Sequence, residues 1–288
     1  MAFGGSTLHH IVSIRDLWFR YRGSDEWTLR DIDLDIERGE FVVITGRSGC
    51  GKTTLCRCLN GLIPQFYEGE LKGSVTVAGL DVTRIPVARI ASIVGMVFQN
   101  PSSQLFMLTV ERDVAFGPEN LGLPKDEILR RVNWALDMLG ISDLRFRSPH
   151  ELSGGQQQRV AIAAILAMQP QIIVLDEPTA YLDPYTSLSI FNLLKELNTK
   201  LCLTVILVEH KLELVASLAD RVIVMDKGCI VLDGSPREIF VKDLSVYGLK
   251  PPSIPRLFLK LSGYGFKFSR IPLAVEEAVE VFREGSRS

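Results

Sequence analysis

Gly46-Arg47-Ser48-Gly49-Cys50-Gly51-Lys52-Thr53 fits the phosphate-binding pattern G-x-x-x-x-G-K followed by Ser or Thr. Residues 41–44 before it form a short apolar run, typical of a buried strand, and a helix is expected over residues 52–61. Glycines let backbone N–H groups turn inward around phosphate oxygens, and the helix start adds a partial positive charge. Lys52 would reach the β- and γ-phosphates, and the Thr53 hydroxyl would bind Mg²⁺. The predicted phosphate-binding residues are Gly46, Ser48, Gly49, Cys50, Gly51, Lys52, Thr53 and Thr54.

Two acids follow another apolar run. Residues 172–175 read Ile-Ile-Val-Leu and lead directly into Asp176 and Glu177. An aspartate at the carboxyl end of such a strand can hold Mg²⁺ in a phosphoryl-transfer site. Glu177 is placed to polarise a water for attack on the γ-phosphate. Because this pair accompanies a phosphate-binding loop, the sequence predicts nucleotide hydrolysis.

Apolar runs alternate with helical patterns along most of the chain, which predicts an α/β core with helices on both faces. Strands are predicted over residues 11–21, 29–36, 41–44, 73–77, 93–97, 172–175, 203–208 and 221–225. Helices are predicted near 184–200 and 211–217. Residues 101–168 have a helical character and form a predicted insertion; Ile128, Val132, Ala135, Leu136 and Leu139 share one face of an amphipathic helix.

The composition limits the class of protein. The 288 residues are 47% hydrophobic and 23% charged, close to globular averages, which excludes a largely disordered chain. A net charge of −2 argues against a nucleic-acid partner. The longest apolar run, residues 160–168, is too short to span a membrane, and the first ten residues do not have the pattern of a signal peptide. The five irregularly spaced cysteines are expected to be free thiols in a reducing cytoplasm.

The last part of the chain has a different character. Residues 251–255 contain three prolines, and two short amphipathic helices are predicted after them, one over residues 257–261 and one through Val275, Ala278, Val279 and Phe282. So short a segment is not expected to have a core of its own and should pack on the main domain or on another chain. The predicted division is a domain of residues 1–243, with its helical subdomain near 101–168, and an extension of residues 244–288.

Residues 152–159 read Leu-Ser-Gly-Gly-Gln-Gln-Gln-Arg. Ser153 and Gln156 have the spacing of a capping box, which predicts that a helix begins here. Gly154 and Gly155 would leave backbone N–H groups accessible to an anion. An ordinary helix cap would have the same local pattern.

Leu-Ser-Gly-Gly-Gln, placed between the phosphate loop and the Asp-Glu strand, resembles the signature of the ATP-binding cassette (ABC) family. The resemblance to the family covers residues 10–240. The resemblance implies a RecA-like P-loop NTPase core with an antiparallel β subdomain, a helical insertion and a short α-helical C-terminal extension. It implies an ATPase with ATP and Mg²⁺ as cofactors. It also implies a head-to-tail dimer, in which one subunit closes over ATP on the other's Lys52 with Ser153, Gly154, Gly155 and Gln156.

Four further residues match the family one by one. The resemblance implies that Gln99 links the ATP site, including its metal, to the helical subdomain and that His210 contacts the γ-phosphate. It implies that Tyr21 stacks on adenine and that Asp183 communicates across the dimer. Tyr181 departs from the family because alanine is commoner there. By their local pattern alone, Gln99 could be a surface residue, His210 a turn residue and Tyr21 an ordinary strand aromatic.

Residues 98–101, 104–106, 113–120 and 208–213 are similar to the ATPases of energy-coupling factor transporters, which import vitamins or transition-metal ions such as cobalt or nickel. This implies three partners: a second ABC ATPase of the same or a related kind, a transmembrane scaffold subunit and a substrate-binding membrane subunit. The chain would lie at the cytoplasmic face of the membrane, with its extension holding two ATPases together. Arg112 departs from the group, where an acid is commoner. Arg47, Arg57, Arg130 and Arg131 are interpreted as a solvated or salt-bridged surface.

Two alternatives remain at this point. One is an ATPase of another ABC importer class, for amino acids or oligopeptides, against which the extension and the Gln99-Asn100-Pro101 segment argue. The other is a soluble ABC ATPase that acts on nucleic acid or ribosomes. A second cassette or a long coiled coil would favour it, and the sequence contains neither. The transported substrate, and a dimer of like or unlike chains, stay open.

Overall fold

The computed structural model describes residues 10–285. The strands are β1 His10–Tyr21, β2 Leu29–Glu37, β3 Phe41–Gly46, β4 Gly69–Val77, β5 Leu80–Asp81, β6 Val94–Val97, β7 Ile172–Asp176, β8 Thr204–Val208, β9 Arg221–Asp226 and β10 Cys229–Gly234. The helices are α1 Lys52–Leu59, α2 Leu62–Gln65, α3 Val87–Ala91, α4 Val110–Asn120, α5 Lys125–Met138, α6 Gly154–Leu166, α7 Pro184–Leu201, α8 Leu212–Val215, α9 Pro236–Phe240, α10 Ser253–Gly263 and α11 Val275–Gly285.

The strands form two sheets. The larger has six strands in the order β10-β9-β3-β8-β7-β6, and its neighbours run parallel except for β10, which is antiparallel to β9 at one edge. The smaller is antiparallel, in the order β2-β1-β4-β5. The predicted α/β fold with an antiparallel β subdomain is therefore confirmed.

The register of the central sheet brings its functional loops to one edge. Ile44 in β3 and Asp176 in β7 both pair with Val208 in β8. Val97 in β6 pairs with Leu175. Because parallel strands end at the same edge, the loops that follow β3, β6, β7 and β8 are neighbours.

The central sheet is covered on both faces, and β3 shows this most directly. Phe41 and Val43 pack in a cluster with the helical insertion and α7, while Val42 and Ile44 pack in a second cluster with α1 and the antiparallel sheet. Alternate side chains of a strand point to opposite faces, so a strand buried on both faces is apolar throughout. This is why residues 41–44 have no polar alternation.

The insertion contains α4, α5 and α6. Val132, Ala135, Leu136 and Leu139 are buried in the first cluster, as the helical spacing predicts, while Ile128 is partly buried against it. Ser153 and Gln156 form the predicted capping box at the start of α6. The insertion therefore packs on the same face of the central sheet as α7.

The C-terminal residues form α10 and α11, and they have a small apolar cluster of their own. Phe258, Ala278 and Val281 are buried there, which differs from the expectation that the segment would have no core. Large aromatic rings fill this cluster. The Phe258 ring centroid lies 4.5 Å from that of Phe268 and 4.9 Å from that of Phe282. The segment is also held to the main domain by an ion pair between Arg237 and Glu277.

Several elements were not predicted: β5, α2, α3, the edge strand β10 and the helix α9. The described part of the chain has no helix long and apolar enough to cross a membrane. All five cysteines are free, and the described residues contain no His, Cys, Asp or Glu cluster suited to a metal.

Candidate nucleotide-binding site

The phosphate-binding pattern lies on the turn between β3 and α1. Gly46 has a φ of +151°, and a Cβ there would lie 2.1 Å from the carbonyl oxygen of Met225 on the neighbouring strand. Gly51 has a φ of +111°, and a Cβ there would lie 2.8 Å from the carbonyl oxygen of Thr28. Both positions therefore require glycine, for conformation and for space.

Lys52 lies inside the turn and is only 5% exposed. Its Nζ donates to the carbonyl oxygens of Gly46, at 2.9 Å, and Arg47, at 3.0 Å. Ser48 and Gly49 remain exposed at the rim of the turn. Cys50 is buried, and this burial raises the pKa of its thiol, so it is a poor nucleophile at neutral pH, in keeping with its interpretation as a spacer.

Asp176 ends β7 beside Thr53. Burial raises the pKa of Asp176, and a hydrogen bond with the Thr53 side chain opposes that rise. Oδ1 of Asp176 is buried without a hydrogen-bond partner among residues 10–285. Carboxylate and hydroxyl oxygens are the ligands that Mg²⁺ prefers, so these two side chains fit the proposed metal site.

Glu177 lies between two side chains from other strand ends. Its Oε2 accepts from Nε2 of Gln99 at 3.0 Å, and its Oε1 accepts from Nε2 of His210, also at 3.0 Å. Glu177 has a φ of +50°, which turns the chain sharply as β7 ends. These two hydrogen bonds bring Gln99, Glu177 and His210 together, and the Gln99 amide nitrogen points to Glu177. The metal-binding role of Gln99 stays a prediction.

Tyr21 ends β1 and lies close to α1. Its hydroxyl is 3.0 Å from the hydroxyl of Thr54, and Arg57 donates to it at 3.2 Å. The guanidinium of Arg57 also lies over the Tyr67 ring, 4.2 Å from its centroid. Arg57 was interpreted as a surface residue, but it orients the predicted adenine-stacking tyrosine. Arg130 and Arg131 both pair with Glu127, as the surface interpretation expects.

The Leu-Ser-Gly-Gly-Gln segment presents an exposed helix start. The Ser153 hydroxyl accepts from the N–H of Gln156, and the Gln156 side chain accepts from the N–H of Ser153. Ser153 and Gly154 are exposed, while a Cβ on Gly155 would lie 2.5 Å from the Thr186 methyl group. Among residues 10–285, no hydrogen bond or ion pair joins this segment to the phosphate loop.

Asp183 lies at the start of α7, near this segment. Its carboxylate accepts from the N–H of Thr186 at 3.0 Å, and hydrogen bonds from Thr186 hold the pKa of Asp183 below its usual range. Tyr181, two residues earlier, is 76% exposed. Both side chains are available to a second molecule on this face.

Comparison with known proteins identifies the family. Residues 29–180 match the sequence model of the family described as ABC transporter. This chain belongs to the ABC transporter family. The match covers the phosphate loop, the signature segment and the Asp176–Glu177 pair, and the chain is accordingly an ABC ATPase.

Full-length relatives support the assignment. A protein of Pyrococcus horikoshii named as an ABC transporter ATP-binding protein is 45% identical over 276 residues, which is 95% of this chain and 97% of the relative. The energy-coupling factor transporter ATP-binding protein EcfA1 of Clostridium novyi is 42% identical over 276 residues, 94% of this chain and 96% of the relative. Several further relatives are longer, and the chain spans 43–48% of their length.

Two solved structures are similar. The structure of cbiO1 from Clostridium perfringens, part of the ABC transporter complex cbiONQ, has a TM-score of 0.75 and 34% identity, covering 88% of this chain and 99% of that one. The ATP-binding cassette MJ0796, solved as a dimer in a post-hydrolysis state with ADP and Pi, has a TM-score of 0.67 and 29% identity, covering 78% of this chain and 99% of that one.

Sequence reasoning missed two residues that brace the site of this ABC ATPase. Glu209 is buried and accepts from the Thr179 hydroxyl at 2.8 Å and from the N–H of His210 at 2.7 Å. Nζ of Lys211 donates to the carbonyl oxygens of Thr179 and Leu182, at 2.7 and 3.1 Å. Together they fix the loop that carries His210 against the segment that leads to Asp183. Their position in the quoted 208–213 segment was the available signal.

Proposed function

We propose that this chain is the ATP-binding and hydrolysing subunit of an energy-coupling factor importer for a vitamin or a transition-metal ion. Separate membrane subunits would bind and carry the substrate, and they would hold the chain at the cytoplasmic face of the membrane. The relatives EcfA1 and cbiO1 support this subgroup. The observation that carries the proposal is an apolar groove on the helical insertion.

The groove lies between α3, α4 and α6 and has a volume of about 330 Å³. Two aromatic side chains that line it are exposed, Phe106 by 59% and Phe116 by 39%, and their ring centroids lie 4.9 Å apart. Large exposed apolar side chains that line a cleft favour a protein partner. Arg112 is exposed one turn before Phe116 on α4, so a partner segment with an acidic residue would complement this rim.

The proposed chemistry gives each residue of the site a role. Lys52 and the N–H groups of the phosphate loop bind the phosphates, and Tyr21 stacks on adenine. Thr53 and Asp176 would hold Mg²⁺, which would supply charge neutralisation at the phosphate oxygens. Glu177 accepts the proton of the attacking water, while Gln99 and His210 fix the direction of its carboxylate.

The exposed start of α6 gives the reason for a dimer. Ser153, Gly154, Gly155 and Gln156 of one subunit would close over the γ-phosphate on the other, because a helix start with free N–H groups binds anions. Asp183 and Tyr181 lie on the same face and would meet the partner there. ATP binding then closes the dimer and hydrolysis reopens it, which moves the groove-bearing insertions relative to each other.

Copurification with a membrane scaffold subunit tests the subgroup. We expect a complex with wild type that is lost on Phe106→Asp, because a carboxylate in the groove would be buried without a partner. Phe66→Asp is the matched control, since Phe66 is 71% exposed and lies outside the groove. A complex that survives Phe106→Asp, or no complex with wild type, would contradict the proposal.

A further inference from the structure

Arg47, in the phosphate loop, contacts the base of the C-terminal extension. Its Nη2 donates to the carbonyl oxygen of Val246 at 3.2 Å. Gly248, with a φ of +68°, lies against the same side chain, and a Cβ there would lie 2.5 Å from Nε of Arg47. The guanidinium therefore rests on a turn, a contact that the surface interpretation of Arg47 did not anticipate.

That turn is well anchored in the main domain. Residues 244–253, which we call the C-terminal joint, begin with a 3-10 helix, Leu244–Tyr247. Leu244 and Leu249 are buried in the main core, and the Asp243 carboxylate accepts from the N–H of Ser245 at 3.0 Å. Arg47 is thus held by a fixed surface and not by a mobile tail.

The joint also contacts α8, the helix that follows His210. The N–H of Ser253, at the start of α10, donates to Oε2 of Glu213 at 2.6 Å. Glu213 lies on α8, three residues after His210. The joint therefore contacts both the loop that holds Lys52 and the helix that follows His210, and it continues directly into the C-terminal helices.

Arg47 connects Lys52 to the C-terminal joint. Nζ of Lys52 donates to the carbonyl oxygen of Arg47, while the Arg47 side chain donates to the joint. A loop that is held in its binding conformation before the ligand arrives loses less entropy on binding. An anchored Arg47 would therefore favour the conformation that binds phosphate.

We propose that the C-terminal joint positions the phosphate loop through Arg47, and that ATP binding in turn stabilises the joint. The inference rests on the phosphate loop being the ATP site. Linkage makes the two effects reciprocal: whatever factor the contact adds to ATP affinity, ATP adds to the stability of the contact. Arg47 is a positioning residue, since it acts through the loop that holds Lys52.

ATP affinity of the full-length chain is the first measurement. We expect Arg47→Met to raise the Kd for MgATP about three- to tenfold, the effect of losing one hydrogen bond of ordinary strength at an exposed side chain. Arg47→Lys, which can still donate to Val246, should recover part of the loss. Arg84→Met is the control, because Arg84 is exposed and pairs with Asp81. Wild-type affinity in Arg47→Met would overturn the inference.

A double-mutant cycle tests whether the joint is the partner. Gly248→Ala should displace the guanidinium and weaken ATP binding as Arg47→Met does, and the double variant should bind no more weakly than either single variant. Additive losses would show that the two residues act separately and would overturn the inference. Failure of the wild type to bind ATP would instead refute the assignment of the phosphate loop.

Hydrogen exchange supplies the reciprocal measurement. In the wild type, MgATP should slow exchange of the backbone amides of residues 244–253, and this protection should be reduced in Arg47→Met at saturating MgATP. A purely structural role of Arg47 would change exchange equally with and without nucleotide. Equal ATP-dependent protection in both proteins would overturn the inference.

Discussion

At the residue scale, the geometry around Glu177 explains how a carboxylate at a strand end can act as a base. Gln99 follows β6 and His210 follows β8, so the register of three neighbouring strands sets both 3.0 Å contacts. A carboxylate oxygen accepts, so the imidazole donates from Nε2. The two donors fix the orientation of the carboxylate, and either oxygen retains capacity for a water proton.

Glu177→Gln should remove the base and keep the shape. We expect kcat for ATP hydrolysis to fall about 10²- to 10⁴-fold, the usual contribution of a positioned general base. ATP binding should persist, and the closed dimer should accumulate because hydrolysis no longer reopens it. Glu196→Gln, at an exposed pair with Lys200, is the control. Normal turnover in Glu177→Gln would contradict the assignment.

Asp113 gives a pH-dependent prediction at the rim of the groove. It is 4% exposed, its Oδ1 accepts from the N–H groups of Phe106 and Met107, and burial raises its pKa above the ordinary 3.8. Between 3.8 and the raised value the folded state binds more protons than the unfolded state, so stability falls as pH rises through that window. At pH values above this window, the contribution of Asp113 ionisation to the free energy of unfolding no longer changes with pH.

Urea unfolding of wild type and Asp113→Asn over about pH 4 to 7 measures this effect. The amide does not titrate, so the free energy of unfolding of the wild type should decline relative to Asp113→Asn as pH rises. A difference that grows in favour of the wild type would contradict the raised pKa.

At the element scale, the elements that the sequence predicts best are those specified by residues close together in the chain. The phosphate loop between β3 and α1 and the capping box of α6 depend on residues within a few positions of each other. The edge strand β10 is harder to predict, because its half-buried side chains leave a weak apolar pattern. The helix α9 did have a local signal, the capping box of Ser235 and Glu238, which sequence reasoning missed. The Arg47–Val246 contact joins residues about 200 positions apart, so no local pattern could indicate it.

The packing of α6 against α7 depends on the absence of a Cβ at Gly155. Gly155→Ala should press on the Thr186 methyl group of α7 and lower the free energy of unfolding by about 1–3 kcal/mol, the usual cost of overpacking. Thr186→Ser removes that methyl group, so the double variant should recover most of the loss in chemical unfolding. A double variant no more stable than Gly155→Ala would contradict the steric explanation.

At the scale of the whole molecule, two different surfaces would face a second ATPase in the proposed dimer. One is the signature face with Ser153 and Asp183, which would need nucleotide to attract its partner. The other is on the extension, where several apolar side chains are exposed: Leu257, Phe266, Val275 and Val279. We infer that the extension keeps two ATPases together when the nucleotide sites are open.

Val279→Glu tests this role of the extension. Val279 is 44% exposed on α11, so a carboxylate there should be tolerated by the fold but not within an apolar interface. Sedimentation velocity without nucleotide should show a wild-type dimer and a folded Val279→Glu monomer. Glu276→Gln, on the same helix, should remain dimeric. A Val279→Glu dimer as stable as that of the wild type would locate the nucleotide-independent contact elsewhere.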